Sequence, residues 1–208
     1  MNWFDEFAKH RSIVAILRGV QPHEVEPITE TLIEAGITLI EVPLNSPQPF
    51  DSIERLVKFS NGRALVGAGT VLTTQNVDRL ADIGSQIVVS PNTNTDVIRQ
   101  TRKRDMFSMP GVFTATDAFN ALDAGAHVLK FFPADSLGPT GISGIKAVLP
   151  KDTHLAAVGG VDETSFAPYR SKGIHGFGIG GTLYKPGRTA DEIGKIARKL
   201  VKAFDEAS

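Results

Sequence analysis

The chain has no cysteine, which excludes disulfides, thiolate-bound metals and a cysteine nucleophile together. It also lacks a bias of charge. Lys and Arg number 22 against 23 Asp and Glu, a net charge of −1 with both signs mixed along the chain, and no basic block advertises nucleic acid or an anionic membrane. No apolar run approaches the ~20 residues that span a bilayer. The stretch Met1–Arg11 alternates acidic, aromatic and basic residues and has no apolar signal-peptide core. Of the five histidines, His10 and His23 flank the first apolar run, and none forms a close-spaced ligand pair. Neither a metal nor another cofactor is therefore expected, nor a nucleic-acid or membrane partner. A cytoplasmic location is the expectation, and no linker or low-complexity tract divides residues 1–208 into more than one domain.

What is present is ordinary globular composition, 208 residues of which 41% are hydrophobic, arranged with a strong alternation. Short apolar runs occur at Ile13–Leu17, Leu39–Val42, Ala64–Val66, Ile87–Val89, Met106–Met109, Val128–Phe132, Leu155–Val158 and Phe177–Ile179. Each is too short for a helix, and most are rich in Val and Ile. Eight such runs at intervals of roughly 20–27 residues, separated by amphipathic segments, predict a parallel α/β fold. The length suits a (β/α)8 TIM barrel, if a small one.

The intervening segments carry helix punctuation. Thr73, Thr114, Asp162 and Thr189 are expected N-caps, and Gly36, Gly84, Gly125 and Gly173 are expected left-handed C-caps. Pro27 should shift the start of its helix or kink it. Five residues beyond the four glycines stand Glu41, Val89, Lys130 and Gly178. These lie in the second, fourth, sixth and eighth runs, and in a closed barrel alternate strands fill one interior layer. Runs two and six are opposite, so Glu41 and Lys130 should face across one space that Gly178 leaves open.

Lys130 sits in Val128-Leu129-Lys130-Phe131-Phe132, where alternation sets Val128, Lys130 and Phe132 on one face. A strand covered by helices has no solvent side, so the lysine enters either the helix layer or the barrel mouth. Burial disfavours the ammonium, and a partly neutral amine can form a Schiff base with a carbonyl. The plainer reading is a lysine snorkelling at a strand end or binding a phosphate. Glu41, inward with Leu39 and Pro43, is costly unless paired. It is either half of a buried ion pair with Arg18 or a general acid/base tuned by Lys130 and Arg18. Thr70, after Gly67-Ala68-Gly69, has a hydroxyl to offer a substrate carboxylate. Gly159-Gly160 after the seventh run and Gly180-Gly181-Thr182 after the eighth present backbone N–H groups to an anion. A helix N-terminus behind them would add a favourable dipole, and this pair of loops is the recurrent phosphate site of such barrels. The same glycines would also relieve crowding where the barrel closes.

Five segments in order carry a resemblance to a known family: Glu41-Val42-Pro43-Leu44-Asn45-Ser46-Pro47, Gly67-Ala68-Gly69-Thr70-Val71-Leu72, Ser90-Pro91-Asn92, Lys130-Phe131-Phe132-Pro133 and Val158-Gly159-Gly160. From about Ile13 to Tyr184 the chain resembles the 2-keto-3-deoxy-6-phosphogluconate/-galactonate aldolases. Ala15-Ile16-Leu17-Arg18-Gly19 with Pro43-Leu44-Asn45-Ser46 is similar to the phosphogalactonate members. Phosphogluconate members usually carry an arginine where Asn45 stands. The resemblance implies a metal-free lyase, typically a homotrimer, that cleaves a phosphorylated 2-keto-3-deoxy sugar acid reversibly to pyruvate and glyceraldehyde 3-phosphate. It further implies Lys130 as Schiff-base nucleophile and Glu41 as acid/base. Arg18 and Thr70 would hold the carboxylate, with Asn45, Pro91 and Phe132 beside it, and Gly159, Gly160, Gly180, Gly181 and Thr182 would hold the phosphate. One departure is Gly181, where the family often has a phosphate-binding serine. Three other readings stand at this stage: preference for the gluconate epimer, another phosphate-binding barrel enzyme, or a non-catalytic sugar-phosphate sensor on the same scaffold.

Overall fold

A computed structural model describes residues 3–207. The expected domain span 1–208 takes in Met1, Asn2 and Ser208, and the stretch Met1–Arg11 the first two of these; all three lie outside the described residues. The strands are β1 (Ile13–Ile16), β2 (Leu39–Pro43), β3 (Leu65–Gly69), β4 (Ile87–Val89), β5 (Phe107–Met109), β6 (Gly111–Val112), β7 (Val128–Phe131), β8 (His154–Val158) and β9 (Gly176–Ile179). Each pairs in parallel with its neighbour, in the order β5-β4-β3-β2-β1-β9-β8-β7-β6. The two ends of that order, β5 and β6, are halves of one barrel strand. Pro110 has no N–H to give the ladder and breaks it in two. The first half pairs with β4 and the second with β7. The break is stitched by His127 N–H donating to Ser108 O at 3.0 Å and Lys130 N–H to Pro110 O at 2.9 Å. The fold is thus the expected eight-stranded α/β barrel, its fifth strand interrupted.

Helices α2 (Val25–Ala35), α3 (Pro49–Ser60), α4 (Thr74–Asp82), α5 (Thr95–Lys103), α6 (Ala115–Asp123), α7 (Ala134–Lys146), α8 (Phe166–Arg170) and α9 (Ala190–Glu206) follow the barrel strands. Period-two alternation separates two cores. Ile40, Val42, Leu129 and Phe131 face the helices, while Leu39, Val89, Val128 and Val158 fill the barrel. Thr114 and Thr189 close capping boxes and Thr73 accepts from Asn76 N–H, as expected. Asp162 caps no helix. Its carboxylate is taken by Thr164 and Ser165 in a turn, and α8 begins only at Phe166. Pro27 falls in the first turn of α2, where it costs no helical hydrogen bond. Helix α7 is interrupted at Gly138, φ 64°, beside Pro139. Gly36, Gly84, Gly125 and Gly173 all adopt the expected positive φ.

A short helix, α1 (Trp3–Phe7), has no counterpart in the sequence reading. It lies under the N-terminal end of the barrel. Phe7 stacks on Phe107 at 4.4 Å, Phe107 stacks on His127 at 4.7 Å, and Trp3 Nε1 donates to Asp105 Oδ1. Burial of the His127 ring pushes its pKa down to about 4, so it packs as a neutral aromatic, accepting from Ser108 N–H at Nδ1. Five residues with two phenylalanines give no period to detect, which is why the plug is invisible in the sequence.

Candidate active site

At the C-terminal ends of the strands the barrel opens into a cavity of about 500 Å³. Its wall includes Arg18, Glu41, Thr70, Pro91, Lys130 and Phe132, and the loops after β8 and β9 supply Gly159, Gly160, Gly180, Gly181 and Thr182. Asn45 alone among the expected site residues is not in that wall. It is exposed, and its Oδ1 accepts from Arg18 Nη1 at 2.6 Å, so it acts on the cavity by fixing the arginine. Ser46 Oγ accepts from Gly19 N–H and holds the loops after β1 and β2 together. A second cavity, about 230 Å³, lies at the opposite end, lined by Phe4, Phe7, Phe107 and Val128 among others. It is apolar and brings no opposed acid and base together, so the chemistry belongs to the first.

Lys130 and Glu41 rise from β7 and β2, opposite strands of the ring, and are 6% and 2% exposed. Burial drives the Lys130 pKa down, partly offset by attraction to Glu41, with Arg18 pushing it lower still. Its Nζ lies 4.8 Å from the centre of the Phe132 ring, a surface that accepts either the amine or the ammonium. Burial raises the Glu41 pKa to about 7 against the pull of Lys130 and Arg18. Glu41 Oε2 has no hydrogen-bond partner in the described chain. The ion pair with Arg18 offered by the sequence is not formed; the guanidinium, still in the cavity wall, is hydrogen-bonded to Asn45 instead. An amine whose pKa burial lowers, facing a carboxyl poised near pH 7, is suited to imine formation followed by proton transfer.

The space for Glu41 is made by a missing side chain. Gly67-Ala68-Gly69 does not follow the third strand as expected; it is the end of β3. A Cβ on Gly69 would stand 1.7 Å from Glu41 Oε2, and one on Gly67 would stand 1.9 Å from the Ile87 carbonyl oxygen. Gly69→Ala should therefore displace the carboxyl and cost about 1–3 kcal/mol by overpacking. The check is thermal unfolding beside turnover, with a variant of unchanged Tm and unchanged kcat counting against this account. Gly178 does not leave a void, since Val158 Cγ2 and Ile16 Cδ1 come within 2.7 and 3.2 Å of where its Cβ would be. Thr70, at φ 55°, holds a conformation that costs a non-glycine residue energy and that gathers at functional sites.

The glycine loops line the cavity, with one correction to the expectation. No helix N-terminus stands directly behind them: α9 starts at Ala190, and α8 is a five-residue helix beginning at Phe166. What they offer is backbone. The N–H groups of Gly160, Gly181 and Thr182 donate to no other group of the described chain. Arg188 Nη1 donates to the carbonyls of Gly181 and Thr182, turning those oxygens away. The Thr182 hydroxyl is occupied by the Val161 carbonyl at 3.2 Å. Sequence reasoning missed Ile16, Val158, Val161 beside Gly160, Tyr184, Lys185 and Pro186, all of which line the cavity. Period-two alternation could have found the first two, since both face inward on their strands. The last three lie beyond the eighth run, where no pattern marks them.

Fold and cavity together describe a lyase of the barrel aldolase class. A family model described as KDPG and KHG aldolase matches residues 4–198. A Rhizobium meliloti (strain 1021) protein called a probable 2-dehydro-3-deoxy-6-phosphogalactonate aldolase is 53% identical over 195 residues, covering 94% of this chain and 92% of that protein. An Escherichia coli (strain K12) protein called 2-dehydro-3-deoxy-6-phosphogalactonate aldolase is 44% identical, covering 94% and 95%. A solved structure described as "Native KDPGal structure" superposes with a TM-score of 0.92 at 44% identity, covering 94% of this chain and 95% of that one. The chain belongs to the KDPG and KHG aldolase family.

Proposed function

We propose that this protein, a single domain over residues 1–208, cleaves 2-dehydro-3-deoxy-6-phosphogalactonate reversibly to pyruvate and glyceraldehyde 3-phosphate. The observation that carries the reading is the buried pair, Lys130 and Glu41, facing each other across one cavity with Glu41 poised near pH 7. The neutral Lys130 amine adds to the C2 ketone, and uptake of one proton from solvent as water leaves gives an iminium. Glu41 takes the proton of the C4 hydroxyl while the C3–C4 bond breaks and its electron pair flows into the iminium. Glyceraldehyde 3-phosphate leaves, and an enamine of pyruvate stays on Lys130. Glu41 returns a proton to C3, restoring the iminium, and water hydrolyses it to release pyruvate, the neutral amine and the proton taken up at the start. Arg18, oriented by Asn45, and Thr70 hold the carboxylate, Pro91 and Phe132 shape the walls, and the two glycine loops hold the phosphate.

The galactonate epimer is favoured because two relatives, 53% and 44% identical, are named for it, and because Asn45 stands where the resembling phosphogluconate enzymes place an arginine. Two measurements test the assignment. Borohydride reduction with pyruvate, followed by peptide mapping, should leave a pyruvyl adduct on Lys130. The ratio of kcat/KM for the two C4 epimers should favour galactonate; a clear preference for the gluconate form sinks the choice of substrate but not the mechanism. No helix of the described residues is long and apolar enough to cross a membrane, and the reading places the enzyme in the cytoplasm without nucleic-acid partners. It is a homotrimer on this reading. Leu72 and Phe113, 47% and 40% exposed on loops at the mouth end of the barrel, are apolar surface for subunits to cover. Sedimentation equilibrium checks the mass.

A further inference from the structure

The phosphate corner lacks a side chain able to answer a dianion. Position 181 is glycine rather than serine, and the Thr182 hydroxyl is bound to Val161 O. Backbone N–H groups supply dipoles, while the Arg188 guanidinium is engaged by the Gly181 and Thr182 carbonyls and that of Arg18 by Asn45 on the loops after β1 and β2. The chain nevertheless brings a cation back to this corner. Leu183 and Tyr184 N–H both donate to Gly180 O at 2.9 Å, folding residues 180–184 into a tight turn. Pro186 then packs on the loop after β1, its Cγ 3.0 Å from where a Cβ on Gly19 would lie. Between those two anchors is Lys185. Its Cε lies 3.8 Å from where a Cβ on Gly181 would lie, and the residue lines the same cavity as Lys130 and Glu41. Its backbone carbonyl accepts from Arg188 N–H at 3.1 Å, while its ammonium makes no ion pair or hydrogen bond with any group of the described chain. Its aliphatic stem covers the face of the glycine that a side chain would otherwise fill.

We infer that Lys185 is the phosphate cation of this site, standing in for the absent residue-181 hydroxyl and selecting substrates that carry a terminal phosphate dianion. This rests on the proposed phosphate-bearing substrate. The ammonium contributes a charge-assisted hydrogen bond at a rim position, with the stem passing beside Gly181. Lys185 touches the part of the substrate that does not react, so it belongs to binding rather than to bond cleavage.

The test compares the wild type with Lys185→Met and Lys185→Arg in three assays: cleavage of the phosphorylated sugar acid, cleavage of its dephosphorylated analogue, and deuterium exchange at the pyruvate methyl without aldehyde. Loss of one charge-assisted contact should raise KM for the phosphorylated substrate about 10- to 100-fold in Lys185→Met. Its kcat, its pyruvate exchange and its cleavage of the dephosphorylated analogue should match the wild type, inhibition by inorganic phosphate should weaken in parallel, and Lys185→Arg should retain most of the affinity. A KM for the phosphorylated substrate within about twofold of wild type in Lys185→Met overturns the assignment of this lysine alone. An equal loss on both substrates, or a loss of pyruvate exchange, overturns it in favour of a structural role. A wild-type enzyme that handles both substrates equally well overturns the phosphate reading itself, and Lys185 with it.

Discussion

Lys130→Met should remove aldol cleavage almost completely, with turnover falling on the order of 10⁴- to 10⁶-fold, as when the nucleophile of a catalytic unit is lost. The expected barrier increase is about 5–8 kcal/mol. Methionine keeps the length and volume of the lysine stem against Phe132 and Val128, so the barrel interior should remain filled. The variant should also be at least as stable as the wild type. Because burial lowers the Lys130 pKa, the unfolded chain binds a proton there more readily than the folded one. The resulting cost to folding is present below the folded pKa and disappears above the ordinary lysine value. Any gain in Tm from Lys130→Met should accordingly be larger at pH 6 than at pH 10. The decisive measurements are single-turnover cleavage and borohydride trapping. A variant that still forms a pyruvyl adduct at another lysine and still turns over would place the nucleophile elsewhere.

Glu41→Gln separates the two halves of the chemistry. The amide cannot exchange a proton with substrate, so cleavage and exchange at the pyruvate methyl should each fall about 10²- to 10⁴-fold, the usual share of a general acid/base. Imine formation at Lys130 should persist, because Lys130 loses the partner that favours its charged form. In the wild type the carboxylate is the form that accepts the C4 proton, so kcat/KM for cleavage should rise with pH through about 7, the value to which burial lifts Glu41. The same shift has a stability signature. Above pH 7 the folded protein holds a buried carboxylate that unfolding would return to water. Below 4.5 the carboxyl is protonated in both states and the penalty vanishes. Glu41→Gln should thus raise stability at pH 8 by at most about 3 kcal/mol, the worth of the shift, and the gain should fade between pH 7 and 4.5. It is an upper bound, because the change also removes the attraction that offsets burial of Lys130. Normal exchange at the pyruvate methyl in this variant would remove Glu41 from the acid/base role.

The barrel was legible because its strands are short, apolar and regularly spaced, and because four glycines mark the approach to alternate strands. The same count brought Glu41 and Lys130 to one interior layer, since inward positions on opposite strands must meet. Side-chain alternatives in the loops were not legible. Arg18 has Glu41 and Asn45 both within its compass, and only the backbone path of Leu44–Ser46 decides that it turns to Asn45. Pro110 reads as the end of a strand, yet the ring continues through it because its carbonyl still accepts from Lys130 N–H. The turn that returns Lys185 to the cavity depends on two hydrogen bonds to Gly180 O, a geometry with no periodic signature. The plug formed by α1 is likewise tertiary, made by ring stacking between residues about a hundred positions apart.

The carboxyl of Glu41 resting where a side chain on Gly69 would lie ties two neighbouring strands into one heritable choice. Position 69 accepts a larger residue only where the carboxyl at position 41 gives way, and moving that carboxyl changes what faces Lys130. Substitutions at the two sites are therefore epistatic, and every single-step path from this pair runs through an impaired enzyme.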